Sequence, residues 1–320
     1  MPLRLSWIVS LRCNHSERSE GSNEAVDQIR RRSIRNGRQV FAENVVWGVE
    51  NPEEKPRNLL EELVWAKERE IEVRRQRMPL YLMKSRLEKS DVAPVRDLNS
   101  VFWDAAGPES VLFFQYQRCS PEDTESAPIL ANVAEEKNDA RAVVVNAESR
   151  RFYGSYEDIR RVHEVVRCPV ICKDIFVYPW QLYDARFYQA DACVLIMKVL
   201  GLKDTLYFAK ASVALGMAPI IEVHDAAELD ALLTAKRQHS DDGRISILLL
   251  AKRDLDSLVP MLSDSEALLE RFAPEARRLG LRVIVELPRE HAPNASLLRG
   301  LRERGADAVL ASTMRDDRAL

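Results

Sequence analysis

PVICKDIFVYPWQLYDARFYQADACVLIMK, residues 169–198, is the stretch whose reading decides the fold. Two apolar runs, PVICK (169–173) and ADACVLIMK (190–198), enclose a segment that Pro179 opens as a helix, because the N–H that proline lacks is one a first helical turn leaves unpaired. Both runs are apolar almost throughout rather than at every second residue, which marks strands buried on both faces. Strand, helix and strand of this kind make a βαβ unit of a parallel sheet.

The unit repeats along the chain. The eight apolar runs are VLFFQYQ (111–117), RAVVVNA (141–147), PVICK, ADACVLIMK, APIIE (218–222), ISILLLA (245–251), RVIVE (282–286) and DAVLA (307–311), and each gap holds a polar turn and a helical pattern. Helix starts carry local signals: Ser155 with Asp158 caps SYEDIRRVHEVV, and Asp225 with Glu228 forms a capping box before Leu229, Leu232 and Leu233. Eight such units predict an α/β fold, a (β/α)8 TIM barrel, whose chemistry sits at the C-terminal ends of the strands. A doubly wound open sheet is the weaker alternative, since no glycine-rich phosphate loop follows the first run.

Upstream, PRNLLEELVWAKEREIEVRRQRMP (56–79) places Leu59, Leu60, Leu63, Val64, Lys67 and Ile71 at helical spacing, pairs Glu70 with Arg74 and stops at Pro79. The domain reading is therefore an N-terminal extension over residues 1–56, largely loop, and a barrel over residues 57–320 that includes this extra N-terminal helix. The basic run IRRRSIRNGR (29–38) reads as a solvated tail, and Leu320 leaves little length for an eighth helix.

Composition narrows the class. The 320 residues are 46% hydrophobic and 30% charged with a net charge of -3, which gives no general attraction to nucleic acid or an anionic membrane. No run approaches the roughly 18 apolar residues of a membrane span, and RLSWIVSL (4–11) is too short and lacks the cleavage site of a secretory signal. Five cysteines at irregular spacing fit a reducing compartment, and Cys168 and Cys172 of CPVIC read as core residues rather than metal ligands. Neither metal nor cofactor is implied.

The strand ends carry Gln115 and Gln117, Glu148, Lys173, Lys198, Glu222, Lys252 and Arg253, and Glu286. A lysine and two glutamates converging on one barrel mouth supply an acid and bases; the structural reading of the same groups is a salt-bridged polar plug.

These residues resemble a known family. RNLLEELVWAKEREIEVRRQRMPL, VRDL, SPED, FYGSYEDI, CPVICKDIFVYPWQLYDAR, ADACVLI, LGMAPIIEVHDAAELD and KRDLDSL follow in order the landmarks of indole-3-glycerol phosphate synthase over about residues 57–315. IRRRS followed by RNLLEELVWAKE is similar to its cyanobacterial and plastid branch. The family closes the indole ring in tryptophan biosynthesis, converting a carboxyphenylamino deoxyribulose phosphate to indole-glycerol phosphate with loss of carbon dioxide and water. The resemblance implies Lys173 as general acid, Glu222 as its acid–base partner, Glu286 as a further catalytic carboxylate, and Arg253, Ser120 and Ser312 as substrate-binding residues.

Other family positions are altered. The Glu-x-Lys pair ending the first strand is Gln115 and Gln117 here, the sixth-strand asparagine is Ala251, and the seventh-strand Ser-Gly is Leu287 and Pro288. Proline offers no N–H to a phosphate, and the eighth strand's LASTMR lacks the family's glycine. Lys198 replaces a small apolar residue, with Glu222 or Glu286 as its expected partner, and Asn146 adds an amide to the second strand.

The expectation is a divergent member that has lost the reaction and serves as a binding or structural subunit of a larger assembly, in a chloroplast stroma or a cyanobacterial cytoplasm. Phe41 and Trp47 of the extension are candidate partner contacts, and the phosphate-bearing family substrate is expected to bind poorly. The alternative is a working synthase using Lys173 and Glu222. A third reading is a new activity on a ligand without phosphate, with Lys173 or Lys198 as acid or imine-forming group; under it Lys173→Ala abolishes binding and leaves the melting temperature nearly unchanged.

Overall fold

The computed structural model describes residues 28–42, 45–90, 92–103, 110–238, 245–251, 258 and 261–312. Ahead of the barrel lie β1 (Ile34–Ala42), β2 (Val45–Glu50), α1 (Leu59–Arg77), α2 (Leu80–Lys89) and the single-turn α3 (Ser100–Trp103). The barrel follows as β3 (Val111–Tyr116), α4 (Ser126–Asn138), β4 (Ala142–Asn146), α5 (Ser149–Phe152), α6 (Tyr156–Val165), β5 (Val170–Lys173), α7 (Trp180–Phe187), β6 (Ala192–Ile196) and α8 (Met197–Ala214). It continues with β7 (Ala218–Val223), α9 (Ala226–Gln238), β8 (Ile247–Leu250), α10 (Leu262–Arg278), β9 (Arg282–Glu286), α11 (Ala295–Arg304) and β10 (Ala308–Ala311). All eight strands from β3 to β10 are parallel, and β10 closes on β3. The (β/α)8 barrel expected from the repeated apolar runs is therefore present.

Period-two alternation explains why the runs lack polar positions. Phe113, Val144, Ile171, Val194, Ile220, Leu249, Ile284 and Leu310 fill the barrel interior. Their neighbours Phe114, Val145, Cys172, Leu195, Ile221, Leu250 and Val285 pack outward beneath the helices. Both faces of each strand are dry, so both must be apolar.

The loops show equally specific causes. The capping box at Ser155 and Asp158 forms as expected. Gly154 in front of it is required by close approach, because a Cβ there would stand 2.0 Å from the Asn146 carbonyl oxygen. At α9 the expected box is half present: Asp225 Oδ1 accepts the Glu228 N–H at 2.9 Å, but the Glu228 carboxylate takes the backbone N–H of His224 at 2.7 Å. The run ADACVLIMK is divided, since strand geometry stops at Ile196, and Met197 and Lys198 begin α8.

The N-terminal extension corrects two expectations. Its strands Ile34–Ala42 and Val45–Glu50 pair antiparallel with Val40 opposite Trp47, so it is not largely loop there; the side chains of Phe41 and Trp47 lie outside the described residues. Arg30, Arg31 and Arg32 of the basic run are not a solvated tail either. Arg30 binds Glu61 at 3.0 Å, Arg31 pairs with Glu68, and the buried Arg32 reaches Glu72 at 2.5 Å and Glu50 at 3.4 Å. Glutamates spaced along α1 receive these arginines in order, which turns a charge run into a strap. Burial alone would raise the Glu61 carboxyl, yet hydrogen bonds from Arg30 and Arg57 hold it down to about 2.

Helix α1 thereby becomes a roof over the barrel mouth. Asn58 caps its start by accepting the Glu61 N–H at 2.9 Å. Leu60, Leu63 and Val64 pack with Ile175 and Val177 of the loop after β5, Trp180 of α7 and Val199 of α8. Lys67, also facing down, is buried between Asp174 at 3.1 Å and Glu70 at 2.9 Å.

Candidate active site at the barrel mouth

The inward set of each strand continues one layer past the interior core, and that layer is the site. Two residues beyond Phe113 stands Gln115, beyond Val144 Asn146, beyond Ile171 Lys173, beyond Ile220 Glu222, beyond Ile284 Glu286 and beyond Leu310 Ser312. Strand geometry alone therefore converges these polar groups on the C-terminal face. A cavity partly open to solvent lies there beneath α1. Gln115, Gln117, Asn146, Glu148, Lys173, Asp174, Glu222 and His224 supply its polar wall, and Leu60 and Leu63 its roof.

The charged groups interlock. Lys173 Nζ lies 3.3 Å from Glu222 Oε2 and 3.2 Å from Glu286 Oε1. His224 Nε2 lies 3.2 Å from Glu222 Oε1, and its Nδ1 is 3.6 Å from Glu228. Burial opposes a charge on His224, but its pairing with the carboxylates of Glu222 and Glu228 outweighs it and raises the imidazole to about 9. At neutral pH the cluster is an alternating array of carboxylates and cations. An acid and a base are thus present at hydrogen-bonding distance from one another.

Several sequence-level assignments change on contact with this geometry. Lys198 pairs, among the described residues, with Asp225 at 2.7 Å and Glu228 at 3.7 Å, not with Glu222 or Glu286, because the start of α8 swings it off the inward row. Glu148 is a helix cap, accepting the N–H groups of Arg150, Arg151 and Phe152. The burial of Lys173 between two carboxylates argues against the expectation that Lys173→Ala leaves the melting temperature nearly unchanged.

Of the altered positions, Gln115 and Gln117 stand at the end of β3, Ala251 follows β8, and Leu287 and Pro288 follow Glu286 of β9. Gln115 is buried; its Nε2 donates to Ser312 Oγ at 3.3 Å, and its Oε1 has no hydrogen-bond partner among the described residues. Ala251 is buried in the barrel interior. Leu287 points into the outer core, and its N–H donates to the Leu310 carbonyl at 2.8 Å, while the Pro288 carbonyl accepts from His291 at 3.0 Å. Ser120 is half-buried in the loop after β3, where its carbonyl accepts from Asp123. Arg253 and Lys252 lie outside the described residues.

The sequence reading passed over His224, although the quoted IIEVHD contains it. Its signal was available, since it stands two residues past Glu222 and so on the same inward row. Asp174 and Lys67 were missed for a different reason: only the docking of α1 brings them together. Asp174 accepts hydrogen bonds from Tyr156 at 2.8 Å and Gln181 at 3.3 Å besides its pairing with Lys67.

A closed (β/α)8 barrel with an acid–base cluster at its carboxyl strand ends and a helical roof defines the class. Sequence comparison supplies the family: a model described as indole-3-glycerol phosphate synthase matches residues 60–239. The chain is 31% identical over 277 residues to the indole-3-glycerol phosphate synthase of Microcystis aeruginosa, covering 85% of this chain and 88% of that protein. It is 31% identical over 290 residues to that of Rippkaea orientalis (88% and 93% covered) and 30% identical over 239 residues to that of Trichodesmium erythraeum (73% and 77% covered). The chain belongs to the indole-3-glycerol phosphate synthase family. No helix among the described residues is long and apolar enough to cross a membrane.

Proposed function

We propose that this chain uses the synthase barrel as a binding or structural subunit of a larger assembly and does not carry out the family's ring closure. One observation carries the reading: the cavity wall contributed by β3 presents the amides of Gln115 and Gln117 where the resemblance expects a carboxylate and an ammonium. A neutral amide neither transfers a proton at pH 7 nor neutralises a substrate carboxylate. The phosphate side supports it, since Pro288 has no N–H and that of Leu287 is already given to Leu310. Losing one well-placed electrostatic contact to a transition state typically costs about 3–4 kcal/mol, and about 1.4 kcal/mol is tenfold in rate. Several such losses leave little turnover. The cyanobacterial relatives favour a cyanobacterial cytoplasm or a plastid stroma as its location.

The alternative, a working synthase with Lys173 as acid and Glu222 as base, is favoured by the 3.3 Å separation of those two groups. Calorimetric titration with the family substrate or its reduced analogue separates the readings, run beside Gln115→Glu/Gln117→Lys. The expected result is no binding by the native chain and little rescue in the double variant, because Leu287 and Pro288 remain. Restored tryptophan prototrophy in a strain lacking the synthase, or a native protein isolated as a free monomer with normal turnover, would overturn the proposal.

A further inference from the structure

We propose that the corner between α1 and α2 is a docking surface for an anionic membrane, entered by Leu80, Tyr81 and Leu82 and held by the cations on either side of them. This goes beyond the binding-subunit reading and does not depend on what the barrel mouth holds.

The corner lies within RRQRMPLYLMKSRLEK, residues 74–89. Pro79 stands at the N-cap of α2, a helix of ten residues whose buried side chain is Met83. Burying so little, α2 leaves Leu80, Tyr81 and Leu82 exposed at 37%, 69% and 42%. Exposed apolar residues are ordinary when scattered, and no two of the others of comparable size among the described residues are consecutive in the chain. Three in succession at a turn between helices make a knob rather than a pocket. A bilayer surface closes around a knob without a preformed groove, and tyrosine suits its boundary, having an apolar ring and a polar hydroxyl.

Positive charge flanks the knob. Arg75 and Arg77 are exposed ahead of it, and Arg86 and Lys89 are exposed beyond it, four and seven residues after Leu82 and so on its face of α2. Arg75 lies over the Tyr178 ring at 4.3 Å, Lys84 over Tyr183 at 5.5 Å and Arg86 over Phe187 at 4.0 Å. A ring holds a cation in place without cancelling its charge, whereas Arg30, Arg31 and Arg32 are each matched by a glutamate. Over residues 75–89 five cations stand against one carboxylate, Glu88. The chain's net charge of -3 does not offset them, because charges farther away than the Debye length, about 8 Å at physiological ionic strength, are screened. Residues 1–27, outside the described residues, carry three arginines and four carboxylates, and Asp91 adds one carboxylate, so both together leave the corner positive. The long stems of these cations let their charges stay at headgroup level while the apolar tip goes deeper.

Co-sedimentation of the full chain with vesicles tests the surface, using phosphatidylcholine alone or with about 30% phosphatidylglycerol. Partition into the anionic vesicles is expected to exceed that into the neutral ones at least about tenfold, and to be lost at about 0.5 M salt. Tyr81→Ser/Leu82→Ser and, separately, Arg77→Gln/Lys89→Gln should each weaken it at least about fivefold. Their melting temperatures should match the native chain's, because all four side chains are exposed. Failure to bind either vesicle, equal binding to both, or binding indifferent to these substitutions would overturn the proposal. Polyglutamate bound as tightly as the anionic vesicles, and lost on the same substitutions, would also overturn it by assigning the corner to an acidic protein.

Discussion

The two sides of the barrel mouth differ in what holds them. On the β5, β7 and β9 side, Lys173, Glu222, His224 and Glu286 are buried and neutralise one another. On the β3 and β10 side, Gln115, Gln117 and Ser312 carry no charge, and Gln115 is anchored by a single 3.3 Å hydrogen bond. Removing one member of a buried ionic cluster strands the others, whatever the cluster does chemically. The charged side therefore has a folding reason to keep its residues, and their presence is weak support for catalysis. The β3 side lacks that constraint and is free to differ. The family model covers residues 60–239, ahead of β8, β9 and β10, whereas the relatives that align over 277 and 290 residues necessarily extend past it.

The largest test of this contrast is Lys173→Ala, which leaves Glu222 and Glu286 facing each other without their shared cation. Urea denaturation should show a loss of about 3–5 kcal/mol, the usual consequence of stripping one partner from a buried ion pair. A loss below about 1 kcal/mol would mean that the cluster does not stabilise the fold and that its retention needs a functional cause.

Next in size is the pH dependence carried by His224. The folded protein keeps this imidazole protonated up to about 9, while an unfolded histidine releases its proton near 6.5. Its contribution is fully present below pH 6.5 and fades as pH rises toward 9, amounting to at most about 3 kcal/mol. His224→Gln should remove this slope, so that the stability difference between native and variant shrinks from pH 6 to pH 9. A difference independent of pH over that window would show that His224 is neutral in the fold.

Much of this site was legible because barrel parity is a sequence property. Apolar runs with inward positions at 113, 144, 171, 220 and 284 place 115, 146, 173, 222 and 286 in one layer without any knowledge of tertiary contacts. The same parity would have supplied His224. It could not supply Lys67 with Asp174, which are 107 positions apart and meet only because α1 docks across the mouth. Nor could it reveal that Arg30, Arg31 and Arg32 find glutamates on α1, since a charge run looks the same solvated or paired. Lys198 was misplaced because an apolar run does not announce where strand gives way to helix, and the turn at Ile196 moved it off the inward row.

The roof sits over both sides and should respond more weakly. Glu61→Gln removes the charge that receives Arg30 and Arg57 and is expected to cost about 1–2 kcal/mol at pH 7. The carboxylate is held down to about 2 in the fold, so its contribution is present above pH 4.5 and is lost as pH falls toward 2. Native and Gln variant should therefore converge in stability in acid, as followed by denaturant midpoints from pH 7 to pH 3.

The smallest effect belongs to the neutral side and has the opposite sign. Gln115→Leu removes one hydrogen bond to the part-exposed Ser312, which water replaces, together with a buried amide edge that has no partner for Oε1 among the described residues. Replacing an unsatisfied buried polar group by an apolar one of similar size is close to neutral or mildly stabilising, so the change should lie between zero and about 1 kcal/mol in favour of the variant. A loss comparable to that of Lys173→Ala would place both sides of the mouth under the same folding constraint and remove the contrast between them. A small gain would mean that Gln115 is kept at some expense of stability.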